Sequence, residues 1–310
     1  MSSIGTPWLW GAFSVVVLVM LALDLGVFHR KAHEVRFRES LMWTLIWIAL
    51  SLVFCGAIFY FYGSEKALEF LAGYVIEKAL SVDNIFVFVI LFSSFAVPKI
   101  YQHRVLFWGV IGAILLRAVF IAAGAALIHR FAWIMYIFGA ILVITGIRLL
   151  RQQTGDVHPE NNPVFRLARK VIPAVPEYDG QKFFTIRNGK RMATPLFVVL
   201  LAVEATDVVF AVDSIPAIFA VTLDPFIVYT SNVFAILGLR ALYSMLGNVL
   251  DRFRFLNIGL ALVLLFVGAK MLLVHFYKVP IGVSLGVIAL LIGGSIVISW
   301  LTSSRTETES

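Results

Sequence analysis

The chain has 310 residues, of which 61% are hydrophobic and 14% are charged, and its mean hydropathy is +0.95. A soluble domain contains about 45–50% apolar and about 25% charged residues, because its exterior needs polar cover. The composition therefore excludes a soluble enzyme or binding module and indicates a protein that crosses a membrane several times. The net charge of +7 does not indicate nucleic-acid binding, because the basic residues lie in loops between apolar runs.

Apolar runs of about 20 residues span a bilayer core, so the sequence predicts an all-α polytopic membrane protein with about nine transmembrane helices. No basic residue precedes the first run, which is also too long for the core of a signal peptide, so we expect it to remain as a helix. The third and sixth runs are overlong and contain acids, so we expect them to be tilted, broken or partly unwound. The predicted spans are 8–28, 41–62, 68–97, 104–128, 131–150, 194–222, 225–247, 255–275 and 279–301.

The distribution of basic residues predicts the orientation of the chain, because Lys and Arg are enriched in cytoplasmic loops. Seventeen of the 25 lie on one side of the nine-span topology, three lie on the other and five lie within spans. We therefore expect the N-terminus outside and the C-terminus in the cytoplasm.

One sizeable loop, residues 151–193, lies on the predicted cytoplasmic side. Its segment QKFFTIRNGKRMATP places Asn188 and Gly189 between β-prone residues, a pattern typical of a type I′ hairpin. We expect a small β-hairpin there, either as a plain connector or as a surface for regulation or partner contact. The lone Cys55 lies in an apolar run, so a disulfide, a CxxC pair and a thiolate metal site within one chain are excluded.

The sequence also contains an internal repeat. Residues 73–90 (GYVIEKALSVDNIFVFVI) resemble residues 198–221 (VVLLAVEATDVVFAVDSIPAIFAV), and an offset of 130 aligns Asp83 with Asp213 and Glu77 with Asp207. Three spans recur as three spans, so the second copy enters from the opposite side of the membrane. Inverted repeats of this kind are typical of secondary transporters, whose substrate site lies where the repeats meet. Further aligned pairs are Arg117 with Arg240, Gly146 with Gly268 and Arg148 with Lys270.

The repeats define the predicted domain organisation. Two N-terminal helices cover residues 1–66, the first three-helix repeat covers 67–150, and the hairpin loop covers 151–193. The second, inverted repeat covers residues 194–275, and a ninth helix with a cytoplasmic tail covers 276–310.

Carboxylates lie in the middle of the third and sixth spans, where a charge costs several kcal/mol or more and marks a functional site. Oxygen-rich sites without cysteine favour hard cations such as Mg²⁺, Ca²⁺ or Mn²⁺, and buried carboxylates can also exchange protons for metal. Pro216 removes a helical hydrogen bond to the Val212 carbonyl, which favours distortion of the sixth span. The candidate metal ligands are Glu77, Asp83, Asn84, Glu204, Asp207, Asp213 and Ser214.

The alternative interpretation is that these acids form buried ion pairs with basic residues of the spans. We expect Lys78, Arg117 and Arg240 to make structural or gating charge pairs rather than substrate contacts. Asp24 is either an interfacial residue or part of the transport pathway, and Asn232 is a further candidate for that pathway.

At these residues the sequence resembles the TerC/Alx family of integral membrane proteins, within the LysE-type transporter superfamily, and is most similar to its Alx branch. The resemblance is carried by GYVIEKALSVDNIFVF at 73–88, EATDVVFAVDSIPAIFAVTLDPFIVYTSNVFAILGLRALY at 204–243, LALDLGVF near the start and HFYKVPIGVSLGV at 275–287. The resemblance implies a multi-pass protein of the bacterial inner membrane that exports Mn²⁺, with links to alkaline pH and tellurite resistance. It also implies an acidic site built on the two VD motifs.

The main functional hypothesis is an exporter of Mn²⁺, or of another divalent cation such as Ca²⁺, that works by proton antiport. We expect it to be a transporter and not an enzyme, and to need no resident cofactor. Its partners would be the lipid bilayer, the divalent cation and protons. A second hypothesis is a membrane assembly factor or redox modulator that acts through protein partners at residues 151–193. A membrane-embedded hydrolase would need a base beside Ser81, and no histidine joins Glu77 there. An amino-acid exporter is a further alternative, although the excess of acids suits only the ammonium group of such a substrate.

Overall fold

The computed structural model describes residues 3–28, 37–131, 133–151, 175, 177–187, 189–246, 255–273, 276 and 279–306. Within these residues the regular secondary structure is helical apart from one two-stranded sheet. In chain order the elements are α1 (Pro7–Phe28), α2 (Phe37–Ser94), α3 (Lys99–Arg130), α4 (Ile134–Arg151), β1 (Phe184–Arg187), β2 (Lys190–Ala193), α5 (Pro195–Phe219), α6 (Pro225–Leu237), α7 (Leu239–Leu246), α8 (Leu256–Leu272) and α9 (Ile281–Thr306).

Six helical segments of the described chain are long and apolar enough to cross a membrane, and two shorter apolar helices, Pro7–Ala22 and Leu256–Leu272, accompany them. The longest segment, Arg38–Ser93, includes both the second and the third predicted spans. Gly63 divides it, because its φ of 87° lies in the left-handed region that glycine adopts without strain. Large apolar side chains such as Val53, Phe61 and Leu290 are more than 70% exposed, as expected for surfaces that face lipid. The count of nine spans stays a prediction.

One end of the helix bundle ties the N-terminal segment to the start of α6. Asp224 is the N-cap of α6 and accepts a hydrogen bond from the Phe226 amide at 3.0 Å, with Pro225 at the first helical position. The Asp224 carboxylate also accepts hydrogen bonds from the Ser3 hydroxyl at 2.6 Å and the Ile4 amide at 2.8 Å. The LDPF sequence therefore starts a helix and anchors the region before α1.

The opposite end carries the hairpin of β1 and β2, which pair antiparallel with Arg187 opposite Lys190. Gly189 has a φ of 73°, so the predicted glycine turn is confirmed, while Asn188 and residues 152–174 lie outside the described residues. Phe183 and Phe184 pack on Phe197 at the start of α5, which fixes the hairpin against the helix that follows it.

The helices of the two predicted repeats interlock rather than lie side by side. The C-terminal half of α2 packs against α6, and α3 packs against α5, while α4 and α8 make the most extensive contact of the molecule. Glycines permit that contact: a Cβ at Gly268 would lie 2.8 Å from the Gly139 carbonyl oxygen, and a Cβ at Gly146 would lie 2.9 Å from the Ala261 carbonyl oxygen. Small residues at these positions let the two backbones approach closely.

The expected break or unwinding beside the acids is not present. The helix is continuous through residues 64–94 of α2, and α5 continues past Pro216 to Phe219. Pro216 causes no break because only three residues of the helix follow it, so the lost hydrogen bond falls in the last turn. The interruption lies instead in the seventh span, where Gly238 separates α6 from α7.

Candidate functional site: a buried charge network beside a cavity

The centre of the bundle contains a fully buried arginine, Arg117 of α3, whose residue exposure is 1%. One guanidinium nitrogen donates hydrogen bonds to the Ser214 hydroxyl at 2.9 Å and to the Asn232 amide oxygen at 3.0 Å. The same nitrogen forms an ion pair with the Glu77 carboxylate, and the other terminal nitrogen donates to Asp207 at 3.2 Å. Asn232 in turn donates to the second Glu77 oxygen at 3.2 Å. We call these five residues the Arg117 network.

The Arg117 network joins residues that sequence analysis had assigned to different roles. It combines three candidate ligands, one candidate charge pair and the candidate pathway residue Asn232. A guanidinium buried in apolar surroundings needs oxygen partners to compensate for its lost hydration. Because α2, α3, α5 and α6 each contribute to the network, the ion pairs hold the two predicted repeats together.

Asp213, a candidate ligand outside the Arg117 network, lies on the same helix as Asp207 but in a different environment. Its side chain accepts a hydrogen bond from the Thr145 hydroxyl of α4 at 2.8 Å and is partly buried. Six residues along a helix correspond to about 600° of rotation, so Asp207 and Asp213 point about 120° apart. Asp207 therefore points into the Arg117 network, while Asp213 points towards α4.

A cavity of about 500 Å³ lies between Arg117 and Asp213. Its polar lining consists of Glu77, Asn84, Arg117, Thr145, Arg148, Asp213 and Ser214, and its apolar wall comes from α2, α4, α5 and α8. The amide oxygen of Asn84 is buried without a hydrogen-bond partner, as is the second carboxylate oxygen of Asp207 beside the network. Unsatisfied buried oxygens are rare, so they indicate a site that takes a ligand or water.

Glu204 is one turn before Asp207 on α5 and does not line this cavity. Its carboxylate packs directly against Gly112 of α3, where a Cβ would collide with it, and one of its oxygens is buried without a hydrogen-bond partner. The described residues contain no group of three or more Asp, Glu, His or Cys side chains close enough to hold a metal ion. The full predicted ligand set therefore stays a prediction.

Two further predicted charge-pair residues lie around the break in the seventh span. The Lys78 ammonium of α2 donates a hydrogen bond at 3.2 Å to the carbonyl of Ala235, in the last turn of α6. A cation at this position compensates the carbonyls that the helix end leaves unpaired. Arg240 follows the break and is half-buried at the start of α7.

Two candidate residues cannot be located at the level of their side chains. Asp83 lies on α2 and Asp24 on α1, but the side chains of both lie outside the described residues. Sequence analysis missed Thr145 altogether, although a threonine three residues before Arg148 in the apolar run ILVITGIRLL was a detectable signal. It also missed Asp224, which the N-cap pattern Asp-Pro could have identified.

Lipid-facing apolar helices around a buried charge network define an integral, multi-pass, all-α membrane protein. The sequence profile of the "Integral membrane protein TerC family" matches residues 62–307, and the chain belongs to that family. The chain is 54% identical over 306 residues to "Uncharacterized membrane protein STKORF319" of Myxococcus xanthus, covering 99% of this chain and 96% of the relative.

The chain is also similar to named relatives over nearly its full length. It is 48% identical over 311 residues to the Escherichia coli K12 protein named "Putative membrane-bound redox modulator Alx", covering 97% of both chains. A Rickettsia bellii protein named "Uncharacterized membrane protein" is 44% identical over 280 residues, covering 90% of this chain and 92% of the relative. No solved structure matches the chain.

Proposed function

We propose that this protein is a secondary transporter that exports a divalent metal cation, with Mn²⁺ as the physiological cargo, in exchange for protons. The cavity between the Arg117 network and Asp213 carries this proposal, because it brings carboxylate, amide and hydroxyl oxygens of both predicted repeats together. Glu77, Asp83, Asp207 and Asp213 supply the charged ligands, and Asn84 and Ser214 supply the neutral ones.

The chemistry of the cavity favours a hard cation. Its polar lining offers oxygen ligands and no thiolate or imidazole, a combination that suits Mg²⁺, Ca²⁺ and Mn²⁺. The unpartnered oxygen of Asn84 lines the cavity and that of Asp207 belongs to the adjoining Arg117 network, and both can coordinate a cation without breaking an existing hydrogen bond. The choice of Mn²⁺ among hard cations comes from the family resemblance, and carboxylates that must lose protons to bind metal supply the coupling.

The inverted-repeat architecture of the proposal is supported by a reciprocal contact between α4 and α8. The alignment of Gly146 with Gly268 also pairs Gly139 with Ala261. Gly268 approaches the Gly139 carbonyl and Gly146 approaches the Ala261 carbonyl, so exchanging the two repeats reproduces the same contact. A pseudo-two-fold axis between the repeats produces such reciprocity, and alternating access works by rocking about such an interface.

The direction of transport follows from the proposed orientation in the bacterial inner membrane. The basic hairpin end of the bundle lies in the cytoplasm, and the end where Asp224 anchors Ser3 lies outside. Exchange of an outgoing cation for incoming protons then uses the inward proton gradient.

The name of the relative, "Putative membrane-bound redox modulator Alx", raises redox modulation as a second candidate. A dithiol relay needs two cysteines, and this chain has only Cys55, whose thiol donates a hydrogen bond to the Ala67 carbonyl at 3.5 Å. A redox role would therefore act through partner proteins that bind residues 151–193, the segment that contains the hairpin.

Transport by purified protein in sealed vesicles tests the proposal. We expect Mn²⁺ flux that follows an imposed pH gradient in the wild-type protein and disappears in a variant with Asp83→Ala and Asp213→Ala. Deletion of residues 184–193 serves as the matched control and should leave the flux intact. Absence of flux from monodisperse wild-type protein would contradict the proposal, and a cellular function that requires the hairpin but not the acids would favour the partner-dependent role.

A further inference from the structure

We infer that the Arg117 guanidinium is a resident substitute for the transported cation: it holds the acids while the site is empty and leaves them when cargo binds. This inference rests on the proposed transport of a divalent cation. Arg117 then competes with the transported cation for the carboxylates, whereas a purely structural ion pair would stay in place throughout transport.

The partners of Arg117 are the first reason. The guanidinium contacts two carboxylates, one amide oxygen and one hydroxyl, contributed by Glu77, Asp207, Asn232 and Ser214. Carboxylate, amide and hydroxyl oxygens are also the ligands that a hard divalent cation takes in proteins. The same cage of oxygens therefore accepts either a guanidinium or a metal ion, and it cannot hold both because the charges repel.

The imperfect satisfaction of the network is the second reason. The Nε of Arg117 and the second carboxylate oxygen of Asp207 are both buried without a hydrogen-bond partner. A buried polar network that served only to hold helices together would satisfy each of its members, because each unsatisfied group costs about 1–3 kcal/mol. Here one positive charge faces two negative charges, so the network keeps an excess of negative charge that a divalent cation would neutralise.

The third reason is that the cavity can accommodate the Arg117 guanidinium after it leaves the carboxylates. Glu77, Arg117 and Ser214 belong both to the network and to the lining of the cavity, and Asp213 is another lining residue. A guanidinium that leaves Glu77 can therefore move within the cavity towards the carboxylate of Asp213. Displacement is then an exchange of carboxylate partners.

Competition has a measurable consequence. A ligand whose binding-competent state is only fractionally populated binds with an affinity reduced by that fraction. If Arg117 holds the acids in most empty molecules, its removal raises the affinity for Mn²⁺, whereas loss of a purely structural pair lowers the affinity or leaves it unchanged.

The test is calorimetric titration of the full-length protein in detergent with Mn²⁺, for wild type, Arg117→Gln and Arg117→Lys. We expect Arg117→Gln to bind Mn²⁺ more tightly by about tenfold or more, as expected when a competing state that holds about 90% of the molecules is removed. Arg117→Lys should fall between the two, because lysine keeps the charge but lacks the planar fork that matches two oxygens. This second variant keeps the test decisive even if Arg117→Gln fails to fold.

A chemical competitor separates competition from a structural change. In Arg117→Ala protein, millimolar methylguanidinium should weaken Mn²⁺ binding, because the free cation refills the vacated cage, and it should leave the wild-type affinity unchanged. Folded Arg117→Gln and Arg117→Lys proteins that bind Mn²⁺ no more tightly than wild type would overturn the inference while leaving the proposed transport standing. Absence of Mn²⁺ binding by wild type and all three variants would overturn both.

Discussion

Two acids on the same helix differ in nearly every respect except their chemistry. Asp207 is 4% exposed and accepts a hydrogen bond from the Arg117 guanidinium, whereas Asp213 is partly buried, lines a cavity and accepts one from the neutral Thr145 hydroxyl. The helix is continuous between them, so the difference arises from the neighbours that each face meets.

The comparison indicates a division of labour within one acidic region. The Arg117 network contains a resident cation that pairs with two carboxylates, and it joins four helices, so its disruption affects stability as well as transport. Asp213 accepts a hydrogen bond from a neutral hydroxyl and shares its cavity with Arg148, so we expect its disruption to affect transport more than stability. Variants on either side test whether the two functions separate in this way.

The largest effect is expected for Glu77→Gln. This substitution removes one partner of a buried ion pair and leaves Asp207 as the one carboxylate that pairs with Arg117, which costs about 3–5 kcal/mol of unfolding free energy. Unfolding in detergent, followed by a melting curve or by denaturant titration, measures the loss. Metal transport should disappear in the same variant.

Glu69→Gln is the matched control for that measurement. Glu69 pairs with Lys66, whose side chain is 27% exposed, and also accepts a hydrogen bond from the Thr222 hydroxyl at 2.6 Å, which the amide oxygen of glutamine can still accept. A partly hydrated pair contributes about 1 kcal/mol or less. If the two substitutions lowered the unfolding free energy equally, burial would not explain how much the Arg117 network contributes to stability.

Asp213→Ala should abolish Mn²⁺ flux while lowering the unfolding free energy by only about 1 kcal/mol, the value of its one hydrogen bond with Thr145. Vesicle flux and thermal unfolding of the same preparation measure the two quantities. Normal Mn²⁺ flux from the folded variant would show that Asp213 is not a metal ligand. It would also contradict the proposal that Asp213 serves transport while Asp207 also serves stability.

Thr145→Val should produce a graded effect, because it removes the hydroxyl that orients Asp213 but keeps the carboxylate and the side-chain shape. We expect the half-saturating Mn²⁺ concentration to rise about threefold to tenfold, equivalent to ~0.5–1.5 kcal/mol. Thr185→Val is a close control, because Thr185 donates to Asp179 at the same 2.8 Å but lies in the hairpin. A similar loss of transport from both substitutions would contradict an orienting role for Thr145.

The smallest effect concerns Asp179 itself, an exposed carboxylate outside the membrane. The Thr185 hydroxyl and then the Lys182 ammonium hold the pKa of Asp179 below its ordinary value. A depressed folded pKa contributes stability that is complete above the unfolded pKa and lost as the pH falls through the folded one, so below about pH 4. Amide protection in residues 182–193 should decrease slightly between pH 6 and pH 3, and Thr185→Val should reduce that decrease. Protection that does not change with pH would indicate that the hairpin is held by Phe197 alone.

Much of the architecture could be predicted because it depends on local composition. Apolar length identified the helices, and the Asn-Gly pattern identified the hairpin that Gly189 turns. Proline was misleading, since the effect of Pro216 depends on how many residues follow it in the helix. The break at Gly238 has no strong local signal, because Lys78 of another helix compensates the exposed carbonyl of Ala235.

The sequence by itself determined that this chain is a helical membrane protein of the TerC family and that carboxylates lie at the depth of the membrane. Only the tertiary structure decided which acids are paired and which face the cavity. The partners of Arg117 lie 90 to 115 residues away for Asp207, Ser214 and Asn232. Such partners depend on how the helices pack. The periodicity of the sequence shows which face of a helix a residue occupies, but it does not show which helix packs against that face.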